Sequence, residues 1–196
     1  MAPSTARKLP SYADIEALPE GLNGEILGGE LVVSPRPAPR HTAAASALGA
    51  RLDGFSFDGD GPRGWRILDE PELHLDADPD YPVVIPDLAG WRIENMPELP
   101  DEVGIQIVPD WICEILSPST RVHDRVRKLP FYARAGVSHA WLIDPAAFML
   151  EVYRREGPRW VLLATHAHDA VVRAEPFDAI ELPLVRLWGG RKPVAG

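Results

Sequence analysis

The sequence predicts a mixed α/β (α+β) fold organised around two central strands joined by a helix. Three observations carry that expectation. Trp111–Leu116 is a short apolar run of strand length, interrupted only by Glu114. A basic, helix-patterned segment follows, closing at Gly136, a residue suited to a helix C-terminus. His139–Asp144 is a second apolar strand, ended by Pro145. Upstream, the predicted order is a helix and then three strands, of which Trp111–Leu116 is the third. The whole therefore reads helix, three strands, helix, strand, with a hairpin before it and further strands after it.

Each element has a local reason. Ser11 with Asp14 three residues on fits the start of a short helix ending near Pro19. Glu25–Leu27 and Glu30–Ser34 flank Gly28-Gly29 and read as a hairpin. Arg36–Pro39 is a linker. His41–Phe55 is alanine-rich, with Leu48 and Leu52 one turn apart, and reads as a helix able to pack closely on a sheet. Trp65–Leu75 alternates as a strand and runs into an acidic stretch. Val83–Trp91 is the next strand, and Pro86 within it implies an edge or a bulge. Glu94–Pro109 is a surface connection. Met149–Arg154 and Arg159–Thr165 flank Glu156-Gly157-Pro158 as a second hairpin, and Ile180–Trp188 is a last apolar segment.

The chain has 196 residues, enough for one domain spanning 1–196 with a sizeable core. No apolar run is long enough to span a membrane, and the N-terminus lacks a secretory pattern. One cysteine, Cys113, excludes an internal disulfide and a cysteine-built zinc site, and it fits a reducing, cytoplasmic setting. A net charge of −9 argues against a protein that grips nucleic acid with its whole surface. The charge is uneven, however. Asp69–Asp80 carries six acids, while Arg121–Arg134 carries five bases against Asp124 alone.

Asp87 and Glu114 are carboxylates set in otherwise apolar strands, where an unpaired charge is costly. Such oxygens suit a hard cation, and the Ile115 carbonyl would add a main-chain ligand. The plainer reading makes Asp87 a strand terminus and Glu114 the partner of an arginine in the next helix. From spacing alone that plainer reading is favoured. Lys128 lies four residues after Asp124 and four before Tyr132, so the three share a helix face. It would orient an attacking water or steady charge on phosphorus, or simply form a solvated pair with Asp124. Pro130 predicts a distorted turn near Lys128. Ser117–Thr120 reads as a loop with a helix cap, and His41 as a helix-start residue or a phosphate contact. Glu25 and Glu30 read as solvated strand-end acids, either of which could reach a neighbouring site. His166 and His168 share a strand face if extended, without a further metal ligand nearby. Cys113, Trp111, Trp141 and Trp160 read as core.

Four segments, NGEILGGELVVSPRPAPRH, VVIPDLAGW, ICEILSPSTRVHDRVRKLPFYARAGVSHAWLIDP and LEVYR, resemble the Uma-type restriction endonuclease family within the PD-(D/E)XK nuclease superfamily. The resemblance runs from about Tyr12 to Trp188 and is most specific from Glu114 through Pro145. It implies a restriction-endonuclease-like core over about 41–145, in the same element order as above. It places Asp87 on the metal-binding aspartate and Glu114 on the (D/E) position. The usual lysine position is taken by Leu116, and Lys128 matches members whose lysine has moved to the following helix. Glu25 and Glu30 match recurrent family acids. The implied activity is Mg²⁺-dependent hydrolysis of DNA phosphodiesters, with Mn²⁺ as an alternative ion. A homodimer pooling its basic helices would offset the acidic net charge. The rival expectation is a non-catalytic nucleic-acid or protein binding scaffold that retains the nuclease fold; a third reading is hydrolysis of another phosphoester.

Overall fold

The structure, a computed structural model, describes residues 9–56, 59–75 and 81–190. Helix α1 (Tyr12–Glu16) opens with the expected cap: the Asp14 carboxylate accepts from the Ser11 N–H and hydroxyl. Strands β1 (Leu22–Leu27) and β2 (Glu30–Pro35) form the hairpin, turning at Gly28 and Gly29, both at positive φ. Helix α2 (Pro39–Leu52) begins two residues earlier than the sequence suggested, because proline suits the first helical turn, where its missing N–H costs nothing.

Two of the predicted strands are each broken in two. Trp65–Leu75 becomes β3 (Trp65–Asp69) and β4 (Leu73–His74); Val83–Trp91 becomes β5 (Val83–Val84) and β6 (Leu88–Arg92). Pairing Asp69 with Leu88, and then Leu73 with Val84, carries the two strands side by side across the break. The break falls at Pro71 and Pro86, which cannot donate to a ladder. Beyond it the strands leave one sheet and enter another. The end of the predicted acidic run, 76–80, lies outside the described residues.

The larger sheet continues with β7 (Trp111–Ile115), β8 (His139–Asp144), β9 (Met149–Glu156) and β10 (Arg159–Ala167). Its order is β10-β9-β8-β7-β6-β3, with β7 and β8 parallel and every other pair antiparallel. The smaller sheet is β2-β1-β5-β4, and β11 (Val171–Val172) pairs with β12 (Leu182–Pro183). The predicted apolar tail contributes β12 and then ends as a 3₁₀ turn over Leu184–Trp188.

The helical crossover between β7 and β8 has three parts: α3 (Arg121–His123), a π-helical turn (Asp124–Lys128) and α4 (Leu129–Ala135). The widened turn ends two residues before Pro130, whose lost donor would otherwise break the regular helical ladder. Gly136, at φ 104°, closes α4.

Strand β7 is buried on both faces, and period-two alternation divides its side chains between two cores. Trp111, Cys113 and Ile115 join the core containing α2, with Leu48, Trp141 and Phe177. Ile112 joins the opposite core, with α4 residues Phe131 and Tyr132 and with Leu73 and Val84 of the smaller sheet. Glu114 follows the alternation of Ile112 and so faces α4. Trp160, only half-buried, pins β10 to the crossover by donating to the Leu129 carbonyl at 2.6 Å. His168 turns out of line at φ 59°, beyond the end of β10, so it and His166 do not share an extended strand face.

Candidate active site

The jog at Pro86 and the π-turn of the crossover meet over the end of β7. Asp87 is the last of the three residues between β5 and β6, so its side chain is delivered by the change of sheet. One carboxylate oxygen, Oδ2, accepts from the Ile115 amide at 2.5 Å, and the other, Oδ1, lies 3.1 Å from His41 Nε2. His41 sits in the first turn of α2, and its ring lies against the backbone of Ile115. Burial lowers the affinity of that imidazole for a proton, but Asp87 and the Ile115 backbone outweigh it and hold the His41 pKa above its ordinary value.

Glu114 and Lys128 form the buried part of the site, each about 3% exposed. The Lys128 ammonium has three donors and three acceptors: Glu114 Oε1 at 2.8 Å, Glu25 Oε1 at 2.9 Å and the Ile85 carbonyl at 2.8 Å. The second Glu25 partner is the Ile85 amide, at 2.7 Å, so Glu25 and Lys128 together clamp the backbone beside Pro86. The Tyr132 hydroxyl donates to the same Glu114 Oε1 at 2.8 Å. Among the described residues, Glu114 Oε2 has no hydrogen-bond partner, and Glu114 lines the cleft.

Charge in this cluster is unevenly compensated. Burial pushes the Glu114 carboxyl well above the carboxylate range; Lys128 opposes the shift, and Asp124, Asp87 and Glu25 add to it. Burial also works against ionised Glu25, yet Lys128, His123 and the Ile85 amide overcome it and hold its pKa at about 2. Lys128 is itself held charged: burial disfavours its ammonium, but Glu114 and Glu25 raise its pKa well above the ordinary value. Asp124 is pushed up chiefly by burial, against Lys128 and a hydrogen bond from Thr120.

Asp87, Glu114, Ile115 and Lys128 thus line one cleft of about 230 Å³, together with Glu25 and His41. Glu30, by contrast, lies outside it as a solvated strand-end acid, in an exposed pair with Arg127 at 3.2 Å. The solvated Lys128–Asp124 pair expected as the plainer alternative is also corrected, since both residues are buried. Sequence reasoning did not identify Asp124 or Glu70 as cleft residues. Glu70 was hidden within the acidic run, whereas Asp124 shared its helix face with Lys128, a signal that marked the face but not its burial.

The donor set suits a hard cation. Asp87 and Glu114 offer carboxylate oxygens, and Glu114 Oε2 is unengaged among the described residues. The excess of acid over base around Lys128 would be relieved by positive charge. Among the described residues, no three His, Cys, Asp or Glu side chains are grouped to cage an ion by themselves. Mg²⁺, which takes one or two carboxylates and keeps several waters, is the kind of ion such a set fits.

The chain's relatives agree with this architecture. Among solved structures, the chain is similar to the crystal structure, at 1.96 Å resolution, of a "putative nuclease belonging to DUF820" from Anabaena variabilis. The two share 23% identity and superpose with a TM-score of 0.65, over 85% of this chain and 89% of the other, so the likeness is one of fold. No functionally curated protein matches. The family model Uma2, described as "Putative restriction endonuclease", matches residues 9–184. The chain belongs to the Uma2 family.

Proposed function

We propose that the protein is a Mg²⁺-dependent endonuclease that hydrolyses DNA phosphodiester bonds. The observation that carries this reading is the convergence of Asp87, Glu114 and Lys128, from three separate elements, on one cleft. Family membership and a nuclease-type fold support it. In this reading Asp87, Glu114 and the Ile115 carbonyl hold the ion, and Mn²⁺ would serve through the same oxygens. When bound, the ion lowers the pKa of a coordinated water and neutralises charge on the scissile phosphate.

The chain's own residues do the rest. His41 and the Ile115 amide fix the Asp87 carboxylate. Glu25 and the Ile85 carbonyl fix Lys128, whose positive charge steadies the charge that builds on phosphorus. The water oxygen forms the new bond to phosphorus and loses a proton to solvent, the bond to one ester oxygen breaks, and that oxygen takes up a proton from solvent and leaves as a hydroxyl. The test is plasmid cleavage with Mg²⁺ or Mn²⁺ by wild type and by Asp87→Ala, Glu114→Ala and Lys128→Ala. Losses of about a hundredfold or more are expected for each; activity unchanged by all three removes the assignment.

One observation favours a second reading, a non-catalytic scaffold that binds nucleic acid or protein. Every Lys128 donor and both Asp87 oxygens are already engaged within the protein. Calorimetric titration with Mg²⁺ separates the two, since a scaffold has no reason to bind the ion through Asp87 and Glu114. A homodimer is compatible with either reading, and sedimentation gives the stoichiometry.

A further inference from the structure

We infer that the strand this cleft takes is an unpaired one, a single-stranded segment, overhang or flap, rather than the interior of a duplex. The inference rests on the nuclease reading above and names the substrate form for the same site. Three observations on the molecule carry it.

The first is depth. Glu114 and Lys128 are buried, whereas Pro35, Arg36, Pro118 and Ser119, which line the same cleft, are exposed. Pro35 ends β2 and Arg36 begins its connection to α2, while Pro118 and Ser119 lie in the connection from β7 to α3. A phosphate reaching the acids must therefore pass between chain segments that stand above them. The second is size. At about 230 Å³ the cleft lies below the usual range of about 300–1,000 Å³ for drug-sized ligands, and it suits one backbone unit at a time.

The third is charge. Proteins that hold duplex DNA specifically bury about 1,000–2,500 Å² of strongly positive surface. Here the basic crossover is largely neutralised by the protein itself: Arg121 meets Asp144, Arg125 meets Glu151, and Arg127 meets Glu30. Arg36 differs, because it lines the cleft and, among the described residues, has no acid partner. One cation at the mouth can meet one backbone phosphate of a threading strand, but it gives no extended positive surface for a duplex.

The test uses the full chain and one labelled oligonucleotide presented three ways: unpaired, as a blunt duplex, and as a duplex carrying an unpaired flap. Anisotropy without divalent metal reads binding, and gel analysis with Mn²⁺ reads cleavage. At least tenfold tighter binding of the unpaired form is expected, with cleavage confined to the unpaired strand and the flap. Arg36→Ala should weaken unpaired-strand binding about tenfold and reduce the salt slope by about 0.7. Equal or tighter binding of the blunt duplex, or cleavage within its paired interior, overturns the inference while leaving the nuclease reading intact. Preferential binding of the unpaired strand without cleavage of any form supports strand selection and sinks the nuclease reading. Failure to bind or cut any form sinks both.

Discussion

Arg127 and Lys128 are neighbours in one turn of the crossover, and each meets a glutamate from the same face of the β1–β2 hairpin, yet their surroundings differ sharply. Glu25, Leu27 and Glu30 share that face, because Leu27 pairs with Glu30 and lies two residues beyond Glu25. Glu30 sits at the hairpin's end, and its pair with Arg127 leaves the side chains 49% and 39% exposed. Glu25 sits one pleat further in, where its partner Lys128 is 3% exposed. In water the outer pair gains little, because solvent screens it and side-chain entropy opposes it. The inner pair is too buried to be given up singly, since removing one charge strands the other. Position along a strand therefore turns one chemistry into a surface contact and the other into the frame of a site.

The largest effect should follow loss of Lys128. Lys128→Met leaves Glu25 and Glu114 facing each other in the protein interior. At neutral pH this should cost about 3–5 kcal/mol in urea unfolding. The deficit should shrink in acid, as the stranded acids take up protons.

Glu25→Gln should give a smaller, pH-dependent loss. The folded pKa of Glu25 is about 2, below its ordinary value of 4.5, so its contribution is present above about pH 4.5 and disappears as pH falls toward 2. At neutral pH the variant should be less stable by about 3 kcal/mol, and the two stability curves should meet in strong acid. Parallel curves throughout would mean that Glu25 is not held ionised by Lys128. The smallest effect belongs to the outer pair: Arg127→Ala should cost less than about 1 kcal/mol and leave divalent-ion binding unchanged. A loss matching that of Lys128→Met would erase the contrast between the two pairs.

Much of the fold was legible because its signals are local. Gly28-Gly29, the unbroken apolar runs of β7 and β8, and Gly136 each announce an element within a few residues. The two strand breaks were less so. Pro86 predicted a disturbance, but that both strands would cross from one sheet to another at Pro71 and Pro86 depends on their being paired. Of the site, Asp87, Glu114 and Lys128 stood out through family resemblance, since their spacing alone favoured ordinary ion pairs. Glu25 and Glu30 looked equivalent in sequence, because what separates them is the helix packed over the hairpin. Asp124 belonged visibly to the Lys128 face, but its burial comes from long-range packing that no spacing encodes.

The central claim is that the acids framed by this inner pair hold one divalent ion. Crystals of the wild-type protein soaked in Mn²⁺ test it through anomalous scattering. A single peak at coordination distance from carboxylate oxygens of both Asp87 and Glu114, absent in Asp87→Asn, is the expected result. A fully ordered cleft without a peak, or a peak elsewhere that ignores both acids, would contradict it.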